Sequence, residues 1–305
     1  MDDAELLTQK GRAIAGLARH LLASRCGERL PRVADLARTI NVGHGTIQDA
    51  LAYLQSAGAL GLTTHGAQGT DIVDLKYGRL WEAAGNEWVT GSMPLPYTRR
   101  YEGLATALAH QLEESVIPFN LSYLRGSIQR ANMVRTGKHH FAVMSSLAAH
   151  HMVEHHPALS IAVVFPEGSY VSEHVLISRT PIEQVGRIGI DESSLDEVLL
   201  TQEECRLHGL EPRVMPIRSG HVIDLLEENA FDAIVWNRDG VREPLANAVI
   251  HPLKGSMDMR RLASRAALLV RKDAAIVSLV KEIITRDRTW EIQQEVLAGR
   301  VLPRY

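Results

Sequence analysis

Between Gly27 and Asp74 the apolar residues change period, and that change constrains the fold more than any other stretch. Val33, Leu36, Ala37 and Ile40 fall at i, i+3, i+4 and i+7, which places them on one face of a helix. Asn41-Val42-Gly43 breaks the run with turn chemistry. Ile47, Ala50, Leu51 and Leu54 then repeat the spacing, and Gly58 follows closely, as a helix C-terminus prefers. An earlier stripe of Ile14, Leu17, Ala18 and Leu21 predicts a helix over Ala4–Ser24. Gly61, Gly66 and Gly69 punctuate β-branched residues across Leu60–Val73, which suits a two-stranded ribbon. Three helices able to bury one another, followed by a ribbon, make the outline of a winged helix-turn-helix. Such a domain lays one helix in the major groove of DNA.

The residues themselves resemble the N-terminal domain of GntR-like regulators. Gly27-Glu28-Arg29-Leu30-Pro31 is similar to that family's loop before its second helix. Thr46-Ile47, Ala50-Leu51, Leu54, Gly58 and Gly69-Thr70 are similar to its recognition helix and wing. Three departures stand out. Gln48 and Asp49 occupy a helix in which the family commonly carries Arg. The wing, Leu62-Thr63-Thr64-His65-Gly66-Ala67-Gln68, has no Lys or Arg, and Gly43 replaces the usual helix-opening Ser. By count, residues 1–74 hold seven Lys+Arg and eight Asp+Glu. Non-specific affinity for DNA comes mostly from phosphate neutralisation, so few charge contacts and a shallow salt dependence are expected. His44, Thr46 and Gln48 are the candidate base-side contacts, Gln48 by pairing with adenine. Arg32 and Arg38 are the candidate phosphate contacts. A winged helix serving only protein contacts is the competing reading.

Chain length and composition bound the rest. A chain of 305 residues with 45% hydrophobic content fits two domains with a sizeable core. The acidic start Met1-Asp2-Asp3-Ala4-Glu5 lacks the layout of a signal peptide, and no apolar run approaches the ~20 residues of a membrane span. Cys26 and Cys205 lie in different predicted domains, which fits a reducing cytoplasm rather than a disulfide framework. The expected division is 1–74 for DNA binding, 75–88 as a linker helix and 89–305 as a two-lobed effector domain.

Beyond residue 88 strands and helices alternate. Strands are expected at Val89–Met93, Pro118–Leu124, Phe141–Met144, Arg187–Ile190 and Val214–Ile217, each followed by a helix, and at Ala233–Trp236. Leu159–Phe165 and Glu173–Ile177 read as paired strands. Ala248–Leu253 and Ala266–Val270 add two more before a terminal helix at Ala274–Thr285. Alternation of this kind argues an α/β fold with mainly parallel sheets. Two lobes are favoured, with segments 158–178 and 248–270 crossing out and back, as in type 2 periplasmic-binding-protein-like domains.

Ligands of open α/β sheets sit beyond the carboxyl ends of the strands. The turns there carry Tyr97, Thr98 and Arg99, then Arg125 and Ser127, then Ser145 and Ser146. In the second lobe Asp191, Ser193, Trp236 and Asn237 take equivalent places, and Glu173 and His174 lie on a crossover. Helix N-termini suit an anionic group, Arg99 and Arg125 could clamp it, and Tyr97 and Trp236 offer flat walls. Each Ser has a plainer use as an N-cap.

Rival chemistries are weaker. His150-His151 and His155-His156 give i, i+4 pairs, but no third ligand is implied, so no metal is expected. Ser145 and Ser146 lack a G-x-S-x-G elbow, and phosphate-cradling motifs are absent, so no cofactor is expected. An enzyme with Glu173 or Asp191 as base and His174 as acid is the alternative class.

The runs Met93-Pro94-Leu95-Pro96-Tyr97-Thr98, Tyr101-Glu102-Gly103-Leu104-Ala105, Ser172-Glu173-His174 and Ala233-Ile234-Val235-Trp236-Asn237 resemble the C-terminal domain of YhfZ-type regulators, with Pro303-Arg304-Tyr305 at the close. That resemblance implies a DNA reader fused to a binding-protein-like sensor. The expectation is a cytoplasmic, ligand-responsive homodimer on double-stranded DNA, away from the membrane.

Overall fold

Helices in the first sixty residues form where the apolar stripes lie. The computed structural model describes residues 8–305 apart from 87, 116, 219 and 220. Helix α1 (Gln9–Leu22) opens on Thr8, whose hydroxyl accepts from Gly11 N at 3.1 Å, and residues 4–7 of the predicted helix lie outside the described residues. Helix α2 (Val33–Ile40) stops at Asn41, held in the left-handed region at φ 58°. Asn visits that region more readily than most residues, so the turn costs little. Helix α3 (His44–Ser56) begins at Gly43 without a side-chain cap. Leu17, Leu36, Ile47 and Leu54 are fully buried and join the three helices in one core.

Strands β1 (Leu60–Thr64) and β2 (Thr70–Leu75) pair antiparallel as the ribbon, with an irregularity at Gly61/Leu62. A Cβ at Gly61 would come within 2.9 Å of the Asp74 side chain, so glycine is what lets the strands meet there. Helix α4 (Tyr77–Ala83) packs on α1, and Tyr77 donates to Ser24 O at 2.9 Å. Burial pushes the Tyr77 phenol up to about 12.

The chain forms two compact units that do not follow sequence order. The first runs up to Val89 and also takes in Gln111–Asn120 and Lys272–Ile283. Within it α11 (Ala274–Ile283) lies against α1.

The second unit is built on two five-stranded sheets. One contains β3 (Val89–Met93), β4 (Phe119–Tyr123), β5 (Phe141–Ser145), β6 (Leu159–Val164) and β12 (Ala266–Arg271), in the order β4-β3-β5-β12-β6. The other contains β7 (His174–Ser178), β8 (Arg187–Ile190), β9 (Arg213–Pro216), β10 (Ala233–Asn237) and β11 (Val249–Pro252), in the order β11-β7-β10-β8-β9. Helices α5 (Arg99–Glu114), α6 (Ser127–Arg135) and α7 (Ser146–His155) follow strands of the first sheet. Helices α8 (Leu195–His208) and α9 (Val222–Glu227) follow strands of the second, and α10 (Met257–Ser264) precedes β12. The chain crosses between lobes after β6 and returns before β12, as the spacing predicts.

Three expectations need correction. Strands β6 and β7 do not pair with each other: β6 pairs with β12, and β7 with β10 and β11. The sheets are mixed rather than mainly parallel. β3–β5, β8–β9 and β8–β10 are parallel, whereas the strands flanking each crossover pair antiparallel. A chain that leaves one sheet and re-enters it later can insert a strand in either direction. The helix at 274–283 is not terminal either, because α12 (Arg286–Leu297) follows it. Its inward face carries Thr289 and Gln293 beside Ile292 and Val296, so polar residues break the apolar period.

Candidate functional sites: the recognition helix and the interlobe seam

On α3 the apolar face is spent on the core, and the opposite face is open. His44, Gln48 and Asp49 are exposed, and Thr46 is half-buried. Arg32 and Arg38 are exposed beside them, with Arg38 Nη2 2.7 Å from Asp35 Oδ1. In the ribbon, His65 Nε2 lies 3.2 Å from Asp71 Oδ2.

In the second unit the strand-to-helix turns of the two lobes meet. Arg125, after β4, donates through Nε to Asp191 Oδ2 at 2.9 Å and through Nη1 to Arg218 O at 2.8 Å. Asp191, after β8, also accepts from Ser193 Oγ at 2.7 Å and Ser193 N at 3.1 Å. Ser127 Oγ accepts from Leu195 N at 3.0 Å, so it satisfies the first turn of the opposite lobe's α8. Ser145 Oγ accepts from Ala148 N at 3.0 Å, capping its own helix, and donates across to Asp196 Oδ1. A Cβ at Gly126 would fall 2.8 Å from Ser193 Cβ, which shows how closely the lobes approach. A groove of about 500 Å³ opens along this seam, lined by Arg125, Gln129 and Asn132 of one lobe and Asp191, Glu192 and Arg218 of the other.

Burial sets the electrostatics. Asp196 is pushed from 3.8 up to about 6 by burial, against the lowering effects of Ser145 and Arg130. Glu197 is raised well above the usual carboxylate range by burial and then by neighbouring Asp191. His174 is lowered to about 4 by burial, with Asp239 opposing, so its imidazole is neutral near pH 7.

Comparison with known proteins places this architecture. A family model described as "YhfZ C-terminal domain" matches residues 76–305, and one described as "Helix-turn-helix domain" matches residues 25–72. YhfZ of Escherichia coli (strain K12) is 30% identical over 302 residues, covering 98% of each chain. The crystal structure of YhfZ from Shigella flexneri superposes with a TM-score of 0.63 at 29% identity, covering 72% of this chain and 94% of that one. This chain belongs to the YhfZ family. Its fold is accordingly a helix-turn-helix domain followed by the YhfZ C-terminal domain, and that domain is two-lobed.

Within this YhfZ domain the predicted residues do not all meet. Arg125, Ser127, Ser145, Asp191 and Ser193 share the seam. Tyr97 and Trp236 come together over Gly240, where an added Cβ would lie 3.3 Å from Tyr97 Cε2 and 3.2 Å from Trp236 Nε1. Asn237 is buried and accepts from Asp239 N at 2.9 Å. Arg99 does not join Arg125: it donates to Val296 O at 3.2 Å and pairs with Glu102. Thr98 caps α5, accepting from Tyr101 N at 3.2 Å. Ser146 is fully buried and sits 3.2 Å from His150 Nδ1, and the Glu173 side chain is exposed. His151 and His155 stack at 4.2 Å, and among the described residues no group of three metal-type ligands forms. Cys26 and Cys205 are both free thiols.

Three residues outside the predicted site set hold this region together. Arg130 is 3% exposed and donates to Val143 O, Leu124 O and the Tyr170 hydroxyl at 2.9, 2.7 and 3.3 Å. Arg100 bridges the lobes, pairing with Asp239 at 3.2 Å and donating to Gly168 O. Tyr170 continues an edge-to-face row, with centroids 5.5 Å apart for Tyr97–Tyr101 and 5.2 Å for Tyr101–Tyr170. An arginine in a helix reads as surface charge unless the fold supplies carbonyls for it.

Proposed function

We propose that this YhfZ-family chain is a ligand-responsive transcription regulator and not an enzyme. In this reading residues 1–74 form a GntR-like winged helix that reads double-stranded DNA. Residues 75–88 link it to a sensor, 89–305, that takes a small anionic metabolite between its lobes. The observation that carries the reading is the open outer face of α3 in a domain matched as helix-turn-helix. His44, Thr46 and Gln48 take the base side, and Arg32 and Arg38 the phosphates. A cytoplasmic homodimer would place two such helices on half-sites about 34 Å apart.

Arg125 and Arg218 in the groove support an anionic effector. An anion that draws Arg125 from Asp191 would alter how the lobes close. A coupling of ~1–3 kcal/mol suffices to change operator occupancy several-fold. The enzymatic alternative is disfavoured by the same geometry. Asp191 is engaged by Arg125 and Ser193, and His174 is held neutral rather than as the imidazolium a strong general acid would need.

The test is gel retardation of the chain's own promoter fragment across a salt series, with a metabolite panel screened by thermal shift. Salt-dependent retardation altered by a stabilising metabolite is expected. No retardation at low salt would overturn the DNA-reading assignment.

A further inference from the structure

The outer face of α3 has two features that neither the fold nor phosphate contact accounts for. The first is Asp49. Its side chain is exposed, and no hydrogen bond or ion pair to it is formed among the described residues. It is the sixth residue of α3, beyond the first turn in which a carboxylate is stabilised by the helix dipole. Its neighbours at i±3 and i±4 on the helix are Gly45, Thr46, Ala52 and Tyr53, none of them basic. Facing DNA, a bare carboxylate is repelled by phosphates unless a base donor meets it.

The second is Gly45, at the second position of the same helix. It has no left-handed φ that would require glycine, and an added Cβ would meet nothing within 4 Å. Glycine weakens a helix relative to alanine. Neither packing nor backbone conformation inside the chain repays that loss. A partner surface pressed against the first turn of α3 would.

We infer that Asp49 is a specificity-determining residue that reads cytosine in the major groove, from a recognition helix seated closely enough on DNA that Gly45 must lack a side chain. Cytosine presents its N4 amino group there as a donor, and a carboxylate accepts from it; guanine offers only acceptors at that edge, and thymine an acceptor and a methyl. The carboxylate is therefore attracted to cytosine and repelled by guanine and thymine, and adenine, whose N6 donor sits beside the N7 acceptor, meets it less favourably than cytosine does. Gln48 precedes it and suits adenine, so the two give adjacent readings. This inference rests on the proposal that the domain binds DNA.

The experiment is selection of sites from a randomised duplex library by the full chain, wild type and variants, with melting curves for each protein. The wild type is expected to enrich a motif with a cytosine column. Asp49→Ala flattens that column alone, with a preference loss of about tenfold. Asp49→Asn moves it toward adenine. Gly45→Ala raises the melting temperature while weakening binding to every site about tenfold or more. A wild-type motif that persists unchanged in Asp49→Ala overturns the base assignment while leaving DNA binding intact. Undiminished binding by Gly45→Ala overturns the close seating. Enrichment of no motif by the wild type overturns the inference together with the DNA-reading proposal.

Discussion

At the scale of single residues, the informative side chains are those whose chemistry is out of keeping with their surroundings. Asp196 is 3% exposed and still carries a carboxyl. Burial raises its pKa from 3.8 to about 6, so the folded protein holds a proton that the unfolded chain releases. Between about pH 4 and pH 6 the native state binds more protons than the unfolded state, and stability falls as pH rises through that window. Asp196→Asn keeps an acceptor for Ser145 and removes the ionisation. Its melting temperature should match wild type near pH 4 and exceed it above pH 6, by an equivalent of about 1–3 kcal/mol. Melting scans across pH check this, and an advantage independent of pH would show that the Asp196 carboxyl titrates alike in the folded and unfolded states. In the helix-turn-helix, Arg38→Ala on α2 should weaken all DNA sequences alike, whereas Gln48→Ala on α3 should relax preference at one base pair. Titrations against operator and scrambled duplexes separate the two outcomes.

At the scale of elements, legibility in the sequence follows how apolar the buried face is. Helices α1, α2 and α3 bury nearly all-apolar stripes, and each lies where the spacing places it. Strand β12 is legible because Ala266–Val270 is buried throughout. Helix α12 is not, because Gln293 is fully buried and polar. Its Nε2 donates to Arg100 O at 2.9 Å and Ser169 O at 2.8 Å, holding α12 to α5 and to the loop before β7. Gln293→Ala should leave the Arg100 and Ser169 carbonyls without these donors and destabilise the fold by about 2 kcal/mol. Chemical denaturation would show it as a lower midpoint, and an unchanged midpoint would mean that water replaces the amide without loss. The candidate serines follow the same logic. The sequence marks Ser127 and Ser145 as helix caps, and only the assembled lobes show that Ser127 serves α8 and that Ser145 also reaches Asp196.

At the scale of the whole molecule, the proposed sensing turns on how the interlobe seam is held. Arg125 ties Asp191 and the Arg218 carbonyl across it. Arg125→Ala should abolish the effector's thermal shift and leave DNA affinity in its absence unchanged. Thermal shift and retardation assays on that variant check both, and a retained response would place the effector elsewhere. No described helix is long and apolar enough to cross a membrane. The sequence alone determined the helical trio with its ribbon, the two-lobed alternation and the turns that carry polar side chains. These are local properties, because spacing and turn chemistry act over a few residues. The pairing of β6 and β7 with different sheets, the buried Arg130, the separation of Arg99 from Arg125 and the raised carboxyls were decided only by tertiary structure. Each depends on which distant segment supplies a partner or excludes water, and local pattern carries no record of that.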